Sequence, residues 1–325
     1  MTTGYSIAIR TLGTSPDSLK KELESIYSQT VLPQKVVIYI AHGYPLPDFR
    51  VSDEVYIYIK KGMVAQRALQ YHEINTEYLM MLDDDVVLAP HAAARMLSTL
   101  TDNSLDAVVA DVFMNHRLSI VQKVMAFVTN GVRPMFCGKK ATRVYSSGAF
   151  GYINNPRNEW YPTESGAGPA SLWKKSSWLR LHIEDELWMD GLGFAYGDDQ
   201  LIFNKAYKNG MNTGMLFNSG CTHLDAKSTS GQYHADKNKL AWRTRGIYLL
   251  WHRSCYNLPG TSRIRRIYRA GCFTGRMSLV LTSHVALSLR HMRIQPLAAF
   301  FKGLKEGHKF SKSKEFRTLP PYILK

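Results

Sequence analysis

Apolar residues in the first half of the chain follow two rhythms. Short, nearly continuous apolar runs occur at residues 5–12 (YSIAIRTL), 35–40 (KVVIYI), 54–59 (EVYIYI), 78–82 (YLMML) and 106–113 (DAVVADVF). Their length and β-branched content predict buried strands. Helical spacing fills the gaps. At 15–29, Leu19, Leu23, Ile26 and Tyr27 recur on one face, Pro16 occupies the first helical position, and Ser15 can cap. Residues 63–74 (MVAQRALQYHEI) and 90–100 (PHAAARMLSTL) predict two further helices. Strands alternating with helices predict an α/β fold, with an open, mostly parallel sheet between helices. In such sheets ligands bind beyond the carboxyl ends of the strands.

The pattern changes at 130–172, which is rich in Gly, Pro, Asn and Ser. This stretch predicts long loops with a short hairpin, a candidate lid whose role the sequence leaves open. Residues 171–181 (SLWKKSSWLRL) then predict a strand and a short helix. Residues 197–210 (GDDQLIFNKAYKNG) predict a helix closed by Asn209-Gly210, and 211–224 a strand with a turn. The remainder reads as mainly helical. In 295–310, Leu297, Phe300, Phe301 and Leu304 share one face, with Lys302, Lys305 and Lys309 elsewhere.

Composition and charge sharpen this picture. The 325 residues are 45% hydrophobic and 11% aromatic, which supports a sizeable core and argues against global disorder. Cys137, Cys221, Cys255 and Cys272 are irregularly spaced and form no C-x-x-C pair. They read as reduced thiols of a cytoplasmic protein, not as a zinc site or a disulfide frame. No signal-peptide pattern precedes the first strand. The nearest approach to a membrane span, 278–289, is short and carries Ser, Thr and His, so no spanning helix is expected. The net charge of +15 is unevenly placed. Residues 226–325 hold twenty Lys or Arg and three acidic residues, whereas 1–225 is slightly acidic. The chain thus divides into a main domain at 1–225 and a basic, mainly helical region at 226–325. That region suits an anionic membrane surface. Nucleic acid is the poorer fit, because no binding motif is present and the acidic residues of the main domain would oppose it. A basic helical cap folded onto the main domain is the third reading.

Residues 77–90 (EYLMMLDDDVVLAP) end an apolar strand in three adjacent carboxylates, Asp83, Asp84 and Asp85. Like charges repel, and they are costly beside an apolar core. No helix starts there to need a cap, and a divalent cation is the natural offset. A second acidic pair, Asp198-Asp199, opens the helix at 197–210. Alone, it would read more plainly as an N-cap.

The order of SIAIRTLG, KGMVAQRAL, YLMMLDDDVVLAP, FAYGDDQLIFNKAYKNG and THLDA resembles the family-2 inverting glycosyltransferases of the GT-A fold, over roughly residues 5–250. The stretch from AWRTRGIYLLWHRSCYN to FFKGLKEGHKF is similar to the ends of bacterial enzymes that add rhamnose or hexoses to cell-surface polysaccharides. The resemblance implies a GT-A, Rossmann-like sheet at 1–225 and a transferase moving a sugar from a UDP- or dTDP-sugar to a hydroxyl of a glycan or lipid-linked acceptor. Such an enzyme would work in the cytoplasm, peripheral to the inner face of the cell membrane.

The resemblance also implies roles. Asp83 faces the ribose side of the donor, Asp84 assists by charge, and Asp85 with His223 binds Mn²⁺ or Mg²⁺. The metal would stabilise the departing diphosphate. Asp199 is the candidate base for the acceptor hydroxyl and Asp198 an acceptor contact. Arg10, Thr11 and Arg67 lie on the donor side. Arg243 and Arg245 are candidates for the diphosphate, or else part of the basic surface. The chain departs from the family at 40–45 (IAHGYP), where an acidic turn usually reads the nucleobase, and at Arg10-Thr11 in place of Pro-Thr. That departure supports an alternative, a catalytically silent binder of sugar nucleotides or nucleic acid. His223 read alone is an ordinary polar residue at a strand end. Trp173, Trp178 and Trp188 fit buried core better than sugar stacking. Sugar, linkage position and oligomeric state are not legible.

Overall fold

The computed structural model describes residues 4–112, 118–130, 138–193, 196–224, 237–290 and 292–324. Cys137, part of the candidate lid and the last two residues of the THLDA motif lie outside them. In chain order the elements of the main domain are β1 (Tyr5–Thr11), α1 (Pro16–Tyr27), β2 (Val36–Ala41), β3 (Val55–Ile59), β4 (Tyr78–Asp83), β5 (Val86–Leu88), α2 (Ala92–Asp102), β6 (Ala107–Ala110), α3 (Ile120–Asn130), β7 (Thr142–Val144), β8 (Phe150–Tyr152), β9 (Trp160–Pro162), β10 (Ala170–Lys174), α4 (Lys175–Arg180), a 3₁₀ segment (Ile183–Leu192), α5 (Asp198–Lys208), β11 (Thr213–Leu216) and β12 (Cys221–His223).

Eight strands form one sheet in the order β3-β2-β1-β4-β10-β6-β11-β9. All pairings are parallel except those of β10 with β4 and β6, and that of β9 with β11. The predicted mixed, mostly parallel sheet between helices is therefore present. Its central strands are largely apolar because both of their faces are covered. Ile7, Ile9, Met80 and Leu82 meet Leu19, Leu23 and Ile26 of α1 and Met96 and Leu100 of α2. The alternate residues Ala8, Leu79 and Met81 meet Trp173, Trp178 and Phe203 on the opposite face. Trp173, Trp178 and Trp188 are all buried core, as their apolar context predicts.

The antiparallel β10 positions the site. Its first residue, Ala170, pairs with Leu82 near the carboxyl end of β4. The loop before β10 is thereby delivered to the mouth of the sheet, where Pro169 O accepts the Asp83 N–H at 2.9 Å. A parallel strand would have sent that loop to the far edge.

Three local expectations need correction. Residues 63–74 are not a helix but a series of turns. Their backbone groups have tertiary partners instead: the Asp190 carboxylate accepts the N–H groups of Val64 and Ala65 at 3.0 and 2.8 Å. Lys175 Nζ donates to Tyr71 O at 2.9 Å, and Tyr71 adopts a left-handed φ of 51°. Helical spacing lost to these contacts. At α1, Pro16 is in the first turn as predicted, but Ser15 makes no side-chain cap; its carbonyl accepts the Leu19 N–H at 3.1 Å. The region 130–172 contains the predicted hairpin, β7 with β8, and also supplies β9 to the main sheet.

The basic region is helical as predicted, with α6 (Lys237–Trp251), a π-helical turn (His252–Tyr256), α7 (Arg263–Arg290), α8 (Gln295–Ser311) and α9 (Lys314–Arg317). The third correction concerns the buried face of α8, which is formed by Ala299, Phe300, Gly303 and Gly307, while Phe301 is exposed. Glycine decides this: a Cβ on Gly303 would overlap Ala241 O, and one on Gly307 would press on the Tyr248 ring. The helices approach where side chains are smallest. These helices are tied to the sheet-bearing part of the chain by a buried ion network. Arg253 donates to both oxygens of Glu186 at 3.1 and 2.8 Å, and Lys205 of α5 lies 3.2 Å from the same carboxylate. Tyr322 donates its hydroxyl to Leu201 O on α5 at 2.9 Å. Among the described residues, no helix is long and apolar enough to cross a membrane.

Candidate active site

Five carboxylates and two guanidinium groups converge at the carboxyl ends of β1 and β4. Arg10, the penultimate residue of β1, sits beside Asp83, the last residue of β4, in matched register. The guanidinium donates to both oxygens of Asp83, at 2.5 and 3.1 Å. Thr11 donates its hydroxyl to Asp84. Asp84 and Asp85 form the turn into β5, which pairs with β12 and so carries His223 opposite Val86. His223 Nε2 then lies 3.0 Å from Asp85 Oδ1.

The second acidic pair enters from the amino end of α5. Gly197 precedes it with φ of 78°, a left-handed turn that suits glycine and swings Asp198 and Asp199 inward. Arg67, carried by the turns at 63–74, reaches across. Its Nη1 donates to Asp198 Oδ2 at 2.7 Å and also to Asp199 Oδ1, while Nη2 lies 3.7 Å from Asp83. The other oxygen of Asp199 accepts the Gly168 N–H at 2.9 Å, from the loop that β10 delivers. A Cβ on Gly168 would overlap both Arg67 and Asp199, so any larger residue there would displace one of them.

The electrostatics follow from this crowding. Burial alone would lower the Arg67 guanidinium, but Asp199, Asp198 and Asp83 raise it above its usual value. Burial, and then the Asp199 charge, push Asp198 upward; Arg67 and Arg10 offset this only in part. Asp199 is held below the usual carboxylate range, because Arg67 and Arg10 outweigh its burial. Burial raises Asp84 against the Thr11 hydrogen bond, with help from Asp85 and Asp83. The site stores excess negative charge that the two arginines do not neutralise.

Of the donors present, Asp85 and His223 fit a divalent ion. One carboxylate oxygen and one imidazole nitrogen 3.0 Å apart match the spacing of neighbouring ligands on an ion with bonds of about 2.1 Å. Among the described residues, no group of three or more His, Cys, Asp or Glu forms a complete cage. The rest of the coordination sphere would fall to water and phosphate oxygens, as is usual for ions that bridge a protein to a diphosphate.

A cleft of about 320 Å³ opens beside these groups, lined by Arg10, Thr11, Ser15, Lys61, Gln66 and the three aspartates. No protein-family model and no curated protein matches the chain. Solved structures that it resembles loosely in shape include the mannosyltransferase PcManGT from Pyrobaculum calidifontis in complex with GDP-Man and Mn²⁺, at 14% identity and a TM-score of 0.49, over 97% of this chain and 82% of that one. Another is GalNAc-T7 with UDP, GalNAc and Mn²⁺, at 13% identity and a TM-score of 0.46, over 85% of this chain and 56% of that one.

The fold brings together Arg10, Thr11, Arg67, Asp83, Asp84, Asp198 and Asp199, with Asp85 and His223 adjoining. Arg245 instead donates to Leu192 O and faces Glu306 at 3.5 Å, and Arg243 is among the charges acting on Arg276. Sequence reasoning passes over Lys61, Gln66 and Gly168. Lys61 donates to Tyr44 Oη at 2.6 Å, and Gln66 to Thr11 O at 3.0 Å. Their signal is weak: Lys61 and Gln66 sit within the KGMVAQRAL stretch, and Gly168 is one of several glycines in a loop. In the departing turn at 40–45, His42 stacks on Tyr58 at 5.8 Å.

Proposed function

We propose that this protein is a metal-dependent inverting glycosyltransferase using a nucleotide-diphosphate sugar. The observation that carries the reading is the pairing of Asp85 and His223 at 3.0 Å beside the Arg10–Asp83 and Arg67–Asp198–Asp199 clusters, all at the mouth of one sheet. Mn²⁺ or Mg²⁺ held by Asp85 and His223 would neutralise charge on the departing diphosphate. Asp83, fixed by Arg10, offers its carboxylate toward the ribose. Lys61, which donates to the Tyr44 hydroxyl, lines the same cleft and adds a positive charge for the donor. Thr11 keeps Asp84 oriented.

On the acceptor side, Asp199 takes the proton of the attacking hydroxyl as the new glycosidic bond forms and the bond to the diphosphate breaks. Asp199 is the more accessible of its pair, with its side chain 26% exposed against 4% for Asp198. Arg67 and the Gly168 N–H fix its direction. Burial and then the Asp199 charge raise Asp198, whereas Arg67 and Arg10, against burial, hold Asp199 low and therefore ionised, the form that accepts a proton. Attack from the face opposite the diphosphate inverts the anomeric centre and needs no covalent enzyme intermediate.

The acceptor is a glycan or a lipid-linked saccharide of bacterial surface polysaccharide, reached from an anionic membrane. In support, α3 is highly exposed and apolar (Ile120 79%, Val121 71%) and packs on α7, which carries six arginines and no acidic residue. The chain then divides, as its charge does, into a catalytic domain at 1–225 and a membrane-facing region at 226–325. Flotation with phosphatidylglycerol vesicles at low salt tests the membrane reading, and a protein left in the soluble fraction refutes it.

The catalytic test is a screen of UDP-, dTDP- and GDP-sugars for Mn²⁺-dependent binding and hydrolysis. One nucleotide should bind tightly only with metal. Asp85→Ala should abolish that dependence, and Asp199→Asn should keep donor binding but lose transfer. Binding of nucleotide with no turnover by the native protein would favour a silent binder, and full turnover by Asp199→Asn would refute the assigned base.

A further inference from the structure

A second cleft, larger than the one at the aspartates and sharing no residue with it, lies among α6, α7, α8, α9 and the π-helical turn. Its volume is about 860 Å³, within the range of small-molecule sites. The walls are mostly aromatic and aliphatic. Trp251 and Phe273 stack at 4.1 Å on one side, Met277 and Leu304 lie nearby, and Phe301, 54% exposed, stands among the lining residues. Trp251, Phe273 and Met277 are buried and form the base of the cleft, so the apolar surface that it presents to solvent comes chiefly from Phe301.

The cleft's charge is one-sided. Lys305, Lys312 and Arg317 line it and are exposed, and none of its lining residues is acidic. The neighbouring Glu306 is turned to Arg245 and Lys302. The π-turn contributes His252 and Tyr256 to the lining. Such turns are rare and occur mostly at functional positions. His252 Nδ1 is buried and has no hydrogen-bond partner among the described residues. Burial, with His308 and Arg266 nearby, lowers this imidazole to about 4, so it is neutral at pH 7 and offers one polar contact without adding charge.

We infer that this cleft binds an anionic amphiphile, with a hydrocarbon chain seated against Trp251, Phe273 and Leu304 and a phosphate-like head held by Lys305, Lys312 and Arg317. The one-sided positive charge of Lys305, Lys312 and Arg317 favours an anionic head over a neutral saccharide. A free nucleotide would leave the apolar length of the cleft unfilled. The inference stands apart from sugar transfer, because its test is binding, and a protein with no transferase activity could still pass it.

The probe is dodecyl phosphate below its aggregation concentration, added to the full chain and followed by tryptophan fluorescence and native mass spectrometry. Saturable one-to-one binding is expected, with dodecyl maltoside and inorganic phosphate each binding at least about tenfold more weakly. The exposed-residue variant Lys305→Glu/Lys312→Glu should lose about tenfold in affinity, and Phe301→Ser should also weaken binding, both with unchanged circular dichroism. Competition by phosphatidylglycerol vesicles would identify a bilayer lipid as the source, and failure to compete would identify a separately delivered amphiphile; either is consistent with the site. Absence of saturable binding, equal binding of inorganic phosphate, or undiminished affinity in the charge variant would overturn it.

Discussion

Replacing Arg67 with methionine tests the electrostatic logic of the site directly. The side chain is 7% exposed and serves Asp198 and Asp199, whose side chains are 4% and 26% exposed. Truncating one partner of a buried ion pair typically costs about 3–5 kcal/mol, because the remaining charge is left uncompensated. Partial exposure of Asp199 places the expected loss at the lower end, about 3 kcal/mol at pH 8. The pH dependence has a definite sign. In the native protein Asp199 is held below its usual range, so its contribution is present above that range and fades as pH falls through the depressed value. In Arg67→Met, both carboxyls are raised by burial and mutual repulsion. Stability is then present at low pH and lost as pH rises through the raised values. The gap between native and variant proteins should therefore widen from pH 5 to pH 8, with roughly half or less of the loss remaining at pH 5. Urea denaturation at both values measures this, and Asp199→Asn in the Arg67→Met background should recover part of it. A loss under about 1 kcal/mol at pH 8, or one equal at both pH values, would refute the account.

Other perturbations probe other parts of the molecule. Gly168→Ala forces a methyl group into Arg67 and Asp199; transfer should fall at least about a hundredfold with donor affinity within about threefold, read from kcat and donor Kd. Glu22 is fully buried in α1, and burial, then Asp84, Asp83 and Asp85, raise its carboxyl well above the usual range. Its stability contribution is therefore lost as pH rises, and Glu22→Gln should flatten the decline between pH 5 and pH 8 in denaturant midpoints. Gly303→Val drives α8 off α6 at the Ala241 carbonyl, which should lower stability by about 2–3 kcal/mol and be visible as a lower melting temperature.

The parts of the molecule visible in its sequence share one property: local chemistry and tertiary demand agree. Strands such as 35–40 and 78–82 are apolar because both sheet faces are covered, and 197–210 carries its own stop signal at Asn209-Gly210, with φ of 78° at Gly210. The acidic triplet is readable because three adjacent like charges after an apolar run repel one another unless a cation offsets them. Where the two levels conflict, reading fails. Residues 63–74 have helical spacing, but Asp190, more than a hundred residues away, accepts hydrogen bonds from the amides of Val64 and Ala65. The role of Gly168 depends on β10 running antiparallel, and strand direction is not encoded within one short run of residues. Phe301 reads as buried when hydrophobicity is weighed without glycine's capacity for close approach. Arg243 and Arg245 stand out by charge alone, and Arg245 has its own partners elsewhere.

The salt-bridged trio of Arg253, Glu186 and Lys205 gives the molecule a mechanical axle. Arg253 follows His252 in the π-turn beside the apolar cleft, and Lys205 rides on the same helix that presents Asp199. A ligand that rotates the π-turn would torque that helix through charges too deeply sequestered for solvent to screen. Were both clefts to bind as proposed, any effect of one ligand on the other through this trio would have to be reciprocal.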